Sequence, residues 1–208
     1  MAVLDYSLFV WMWGIMYYGN YFLESRIISL GLMEKELYRL YTCLAEKIQD
    51  LAAKSLFTYI ATDSLKHTLV LASIIEEAGG SNLREQDCDE NIRYNIDLIE
   101  SLSEDVSNKS VIFRGDLISL IGTLAGFETL LYDEYTKAFH LEIPRFGRDN
   151  GKSLESDVDI FSLIVDDENR HQRILADIVN ICDEKIAFQN KAPKVKYQNP
   201  DAWYMPPR

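Results

Sequence analysis

The chain has 208 residues, 48% hydrophobic and 26% charged, which suits one folded domain with a sizeable core and a terminal addition. Its formal net charge of −12 excludes the positive footprint that a nucleic-acid partner requires. The three cysteines, Cys43, Cys88 and Cys182, form no Cys-x-x-Cys, which excludes a zinc ribbon or a rubredoxin-type iron centre.

Residues 1–26 form an aromatic, apolar N-terminal segment. Tyr6 to Leu23 is an uncharged run of 18 residues, the length at which a membrane-spanning helix becomes a candidate. Gly14, Gly19 and Asn20 interrupt it, and its aromatic residues run throughout instead of forming belts at both ends. No basic region precedes it, which argues against a secretory signal. The better reading is a helix packed on the bundle or on a second subunit, with membrane contact through residues 6–23 as the alternative. Cys43 and Cys182 fall in apolar helical patterns and read as buried thiols of a reducing, cytoplasmic compartment.

From Ile27 the periodicity is helical. Leu30, Met33, Leu37, Leu40, Tyr41, Leu44 and Ile48 predict a helix to about Asp50. Leu56, Ile60, His67, Leu71, Ile74 and Ile75 predict a second over about Ala52 to Ala78, ended by Gly79-Gly80-Ser81-Asn82. Ile92, Ile96, Ile99 and Leu102 predict a connecting helix from about Asp89 to Ser103. The acidic run Asp87-Cys88-Asp89-Glu90 is its solvated start. A third long helix is expected over about Val111 to His140, with Gly122 and Gly126 as close-packing positions. A loop follows over Leu141 to Leu154, then a fourth long helix over about Glu155 to Phe188. Residues 189–208 are a proline-rich tail that docks through Trp203 and Tyr204 or stays disordered. No stretch alternates with period two. The expected class is all-α: an antiparallel four-helix bundle over 27–188, built as two helical hairpins joined by a long connection.

The two hairpins repeat one another. Glu34 stands seven residues before Tyr41 with Tyr38 between; Glu128 stands seven before Tyr135 with Tyr132 between. Phe57 lies ten before His67, and Phe161 ten before His171. Leu71 and Leu175 follow the histidines by four, Ile74 and Ile178 by seven. The repeat assembles Glu34, His67, Glu128, Glu168 and His171 as candidate metal ligands. Their oxygen and imidazole donors suit iron, manganese or zinc. Carboxylates buried in a bundle are costly unless paired or metal-bound. Glu36 is an alternative inward residue to Glu34, which the repeat favours. Tyr38, Tyr41, Tyr132 and Tyr135 lie one and two turns from the glutamates. They read as core aromatics bonded to carboxylates, with Tyr41 and Tyr135 the near-site tyrosines a redox reaction would involve.

Through Glu34-x6-Tyr41, Phe57-x5-Asp63-Ser64-x-x-His67, Glu128-x6-Tyr135 and Phe161-x5-Asp167-Glu168-x-x-His171, the chain resembles the ferritin-like superfamily and, within it, the rubrerythrin-type di-iron proteins. The resemblance implies one glutamate from each of the first and third helices and a Glu-x-x-His from each of the second and fourth. It implies a centre of two irons, with manganese or zinc as alternatives, reacting with dioxygen or hydrogen peroxide as a peroxidase- or ferroxidase-like oxidoreductase. The rubredoxin-like extension is missing, so an electron donor would be separate; a homodimer is expected. The departure is Ser64, which stands where the second helix of the family carries its glutamate. On an ideal helix Asp63 lies about 40° from His67, and Ser64 about 60° on the other side, so Asp63 is a possible substitute ligand. The expectation is that Glu128 bridges, Glu168 with His171 holds a firm metal, and Glu34 with His67 holds a weaker one, or a single iron occupies a half-site. The alternative is a bundle whose degenerate site leaves a structural, binding or membrane-associated role.

Overall fold

The computed structural model describes residues 6–77, 83–138 and 155–191. The Leu141–Leu154 loop, the Gly79–Asn82 stop, His140 and the docking of Trp203 and Tyr204 lie outside them. So do the side chains of residues 6–22 and of Cys182.

Five α-helices and no strand occur among the described residues: α1 (Tyr6–Lys47), α2 (Leu51–Glu77), α3 (Glu90–Ser107), α4 (Arg114–Lys137) and α5 (Glu155–Lys191). The apolar segment and the first bundle helix are one continuous 42-residue helix. Nothing between Leu23 and Ile27 breaks it, and isolated glycines cost a helix only about 1 kcal/mol each. No described helix is both long and apolar enough to cross a membrane.

The helices form an antiparallel bundle: α1 packs on α2, α4 on α5, α2 on α5, and α3 on the outside of α1. Leu30, Met33, Leu37, Leu40, Tyr41 and Leu44 of α1 are fully buried, as the periodicity predicts. Each contributes on the order of 1.5–3 kcal/mol. Asp50 caps α2, its carboxylate accepting from the amides of Ala52 and Ala53 at 3.0 Å. The connection between hairpins is sewn to α1 by hydroxyls. Ser25 donates to the carbonyl of Asp87 at 2.8 Å, and Ser29 accepts from the amide of Asp89 at 2.6 Å. Asp89 in turn caps α3 through the amide of Asn91. The acidic run is thus the start of a helix, as expected.

The close-packing glycine is not where the sequence suggests. Gly122 and Gly126 lie on an exposed face of α4, and a Cβ there would meet nothing within 4 Å. At Gly31 on α1 a Cβ would come within 2.8 Å of the Leu83 side chain, where the connection crosses the helix. Cys43 is half-buried, with its sulfur 3.3 Å from the Ser107 hydroxyl, because α3 covers that side of α1 only partly.

Candidate metal centre

Four helices each deliver chemistry to one point in the bundle. Glu34 comes from α1, His67 from α2, Glu128 from α4, and Glu168 with His171 from α5; all five are buried. Helical spacing stacks Glu168 and His171 on one face of α5, and the antiparallel crossing of α2 sets His67 against them. Glu36 is also buried but turns to Arg39, at 2.8 Å. The side chain at the centre is therefore Glu34.

Two groups of three potential ligands result: Glu34, His67 and Glu168; and Glu128, Glu168 and His171. Within each, the ligand atoms lie within 4.8 Å of one another. Nδ1 of His67 is 3.0 Å from Glu34 and 3.1 Å from Glu168. Nδ1 of His171 is 3.1 Å from Glu128 and 3.8 Å from Glu168. The carboxylate common to both groups is Glu168, not Glu128 as the resemblance suggests. Glu128 lies on the His171 side, as Glu34 lies on the His67 side.

The surroundings obey the same two-fold logic. Tyr135 donates to Glu34 at 2.9 Å, and Tyr41 donates to Glu128, so each tyrosine serves the glutamate of the other hairpin. Tyr41 stacks on Phe57, and Tyr135 packs on Phe161, both at 6.0 Å between ring centroids. Nε2 of His67 faces Asp167 and Nε2 of His171 faces Asp63, each at 3.3 Å. Asp63 thus stands behind His171, on the opposite edge of the ring from the three glutamates. Its other oxygen pairs with Lys66, and that of Asp167 pairs with Arg170 at 2.7 Å. Arg170 also donates to the Tyr59 hydroxyl at 2.7 Å, which ties α5 to α2.

Electrostatics show what the cluster lacks. Burial and the neighbouring charges of Glu34 and Glu128 push Glu168 up to about 8. Burial alone would lower His67, but the Glu34 charge and the contacts to Asp167 and Glu168 push it up to about 12. His171 rises likewise against its burial, through Asp63 and Glu128. Burial would raise Glu128 and Asp63, yet His171 holds both below the usual carboxylate range, aided by Lys66 at Asp63. Asp167 is held low by the His67 hydrogen bond, against the effect of burial. Burial and the adjacent carboxylates raise Tyr41 and Tyr135, which stay protonated donors. Two imidazolium ions therefore supply the positive charge that holds three buried glutamates together. Even so, Oε2 of Glu34 has no hydrogen-bond partner, and the two Glu168 oxygens have only the ion-pair approaches of His67 and His171, neither with hydrogen-bond geometry. Orphaned carboxylate oxygens are costly in a core, and a cation at each group would satisfy them. The oxygen and imidazole donor set fits iron, manganese or zinc.

Sequence reasoning did not assign the outer shell of Asp63, Asp167, Lys66 and Arg170. The signal was available: both aspartates stand four residues before a histidine, in matched positions of the repeat. No family model, curated protein or solved structure matches the chain.

Proposed function

We propose that the chain is a ferritin-like protein that binds two iron or manganese ions and acts as an oxidoreductase toward dioxygen or hydrogen peroxide. The observation that carries this reading is Glu168, common to both ligand groups and fully buried, whose oxygens meet the two histidines only as ion-pair contacts without hydrogen-bond geometry. Glu34, His67 and Glu168 would hold one metal; Glu128, His171 and Glu168 would hold the other. When bound, the metals supply the electrons that reduce the oxidant. The protein's part is geometry and dryness. Asp167 and Asp63, each anchored by its own surface cation, would accept a hydrogen bond from Nε2–H and leave Nδ1 of each neutral histidine to the metal. Tyr135 and Tyr41 orient Glu34 and Glu128. Phe57 and Phe161, buried against Tyr41 and Tyr135, would help to keep water from the centre. Re-reduction would rely on a separate donor protein.

Anaerobic loading with Fe(II) or Mn(II), followed by metal analysis, tests the binding: about two ions per chain are expected. Retention of none would sink the reading. Loaded protein that consumes neither dioxygen nor hydrogen peroxide would leave metal binding standing and remove the oxidoreductase. The alternative reading, a bundle that binds metal without turnover, rests on the Ser64 departure and predicts that second outcome.

A further inference from the structure

Ser64 interrupts an otherwise two-fold site. The antiparallel helices α2 and α5 exchange equivalent contacts, Asp63 to His171 and Asp167 to His67, both at 3.3 Å. The two imidazoles face one another with centroids 6.0 Å apart. The operation that exchanges these pairs carries Glu168 onto Ser64, since each follows its aspartate by one residue and precedes its histidine by three. Ser64 is 1% exposed, so the side opposite Glu168 is closed to bulk solvent.

Charge supplies the second half of the inference. Asp63 is matched by Lys66 and Asp167 by Arg170, so neither pair adds net charge. Glu34, Glu128 and Glu168 then face two divalent cations through neutral imidazoles, which leaves one unit of positive charge uncompensated in a dry core. A fourth carboxylate would neutralise it, and the chain does not provide one there. Resting on the two-metal reading above, we propose that the Ser64 position binds a small monocarboxylate, which takes the place of the missing side chain across from Glu168. Serine is shorter than glutamate by a methylene and a carboxylate, so the ligand is of the size of formate or acetate, or the carboxyl end of a narrow substrate. The Ser64 hydroxyl supplies a donor for it.

The test uses the full chain loaded with Co(II), whose visible absorption reports its ligands, and formate as the anion probe. About two Co(II) per chain should be retained, and formate should change the absorption saturably. Formate at ten times its own Kd should tighten Co(II) binding about tenfold, with no effect of chloride at equal ionic strength. Ser64→Glu should hold Co(II) without formate and lose the response, while Ser64→Ala, which removes only the donor, should keep a response at weaker formate affinity. Two Co(II) retained with no formate response in the unmodified chain would overturn this inference and leave the metal centre intact. An undiminished response in Ser64→Glu would also overturn it. Retention of no Co(II) would overturn both readings.

Discussion

The two hairpins bring near-copies of one half-site to the middle of the bundle, and they differ at a single decisive position. Glu34 with His67 and Glu128 with His171 make the same contact, at 3.0 and 3.1 Å. Each glutamate takes a tyrosine hydroxyl from the opposite hairpin, and each histidine takes an aspartate from the opposite Asp-x3-His stretch. Only α5 adds the shared carboxylate, because α2 carries Ser64 there. In the two-metal reading, a glutamate at that place would be the counterpart of Glu168. Residue spacing sets a firm position at Glu168 with His171 against a weaker one at Glu34 with His67, whereas both groups of potential ligands include Glu168.

Removing Glu168 should break both halves at once. Glu168→Ala is expected to lower retained metal from about two ions per chain toward none, whereas Glu34→Ala and Glu128→Ala should each leave about one. Metal analysis after gel filtration decides it. Retention of one ion by Glu168→Ala would show that the halves do not share it.

His67→Ala and His171→Ala come next, and their value lies in their equality. Each should leave about one metal, with similar affinity for the survivor. If His67→Ala were harmless while His171→Ala abolished binding, the two-fold comparison would fail.

Proton linkage gives a third measurement. His67, His171 and Glu168 all carry protons at neutral pH in the metal-free chain, so loading should release about three. Calorimetry in buffers of different ionisation enthalpy counts them, and either histidine variant should release one fewer. In the metal-free protein the raised histidines stabilise the fold fully below pH 6.5 and progressively less above it, His67 until about 12. Glu168, raised to about 8, stabilises fully below its ordinary 4.5 and loses that contribution between 4.5 and 8. Both effects run the same way, and the lowered Asp63 and Asp167 oppose them only below about pH 4. The denaturation midpoint of the metal-free chain should therefore fall from pH 5 to pH 9.

The smallest effect belongs to the outer shell. Asp63→Asn and Asp167→Asn should each weaken metal binding about 10- to 100-fold without changing stoichiometry. Matching losses would extend the two-fold relation to the second layer of the site. A larger loss for Asp167→Asn would trace to its additional tie, through Arg170, to Tyr59.

Much of this was open to inspection before any coordinates. The α-helical class follows from unbroken 3.6-residue periodicity, and the inward stripe of α1 from Leu30 to Leu44 matches its burial. The five residues Glu34, His67, Glu128, Glu168 and His171 stand out because the chain states the pattern twice. Gly31 was invisible, since its constraint comes from Leu83, distant in sequence and brought over α1 by the hydroxyls of Ser25 and Ser29. The glycines that looked important, Gly122 and Gly126, face outward, because periodicity alone does not say which side of α4 meets α5.

Composition, helical period and the internal repeat specify which side chains share a helix face, because those relations are local and set by a rise of about 1.5 Å and 100° per residue. They do not specify which carboxylate lies at the centre, which ring edge an aspartate meets, or whose tyrosine serves whose glutamate. Those depend on how α2 crosses α5 and how the hairpins face one another. Packing between residues far apart in sequence, such as Tyr41 on Phe57 and Tyr135 on Phe161, takes part in setting these. That crossing makes Glu168 the shared residue and puts Asp63 behind His171.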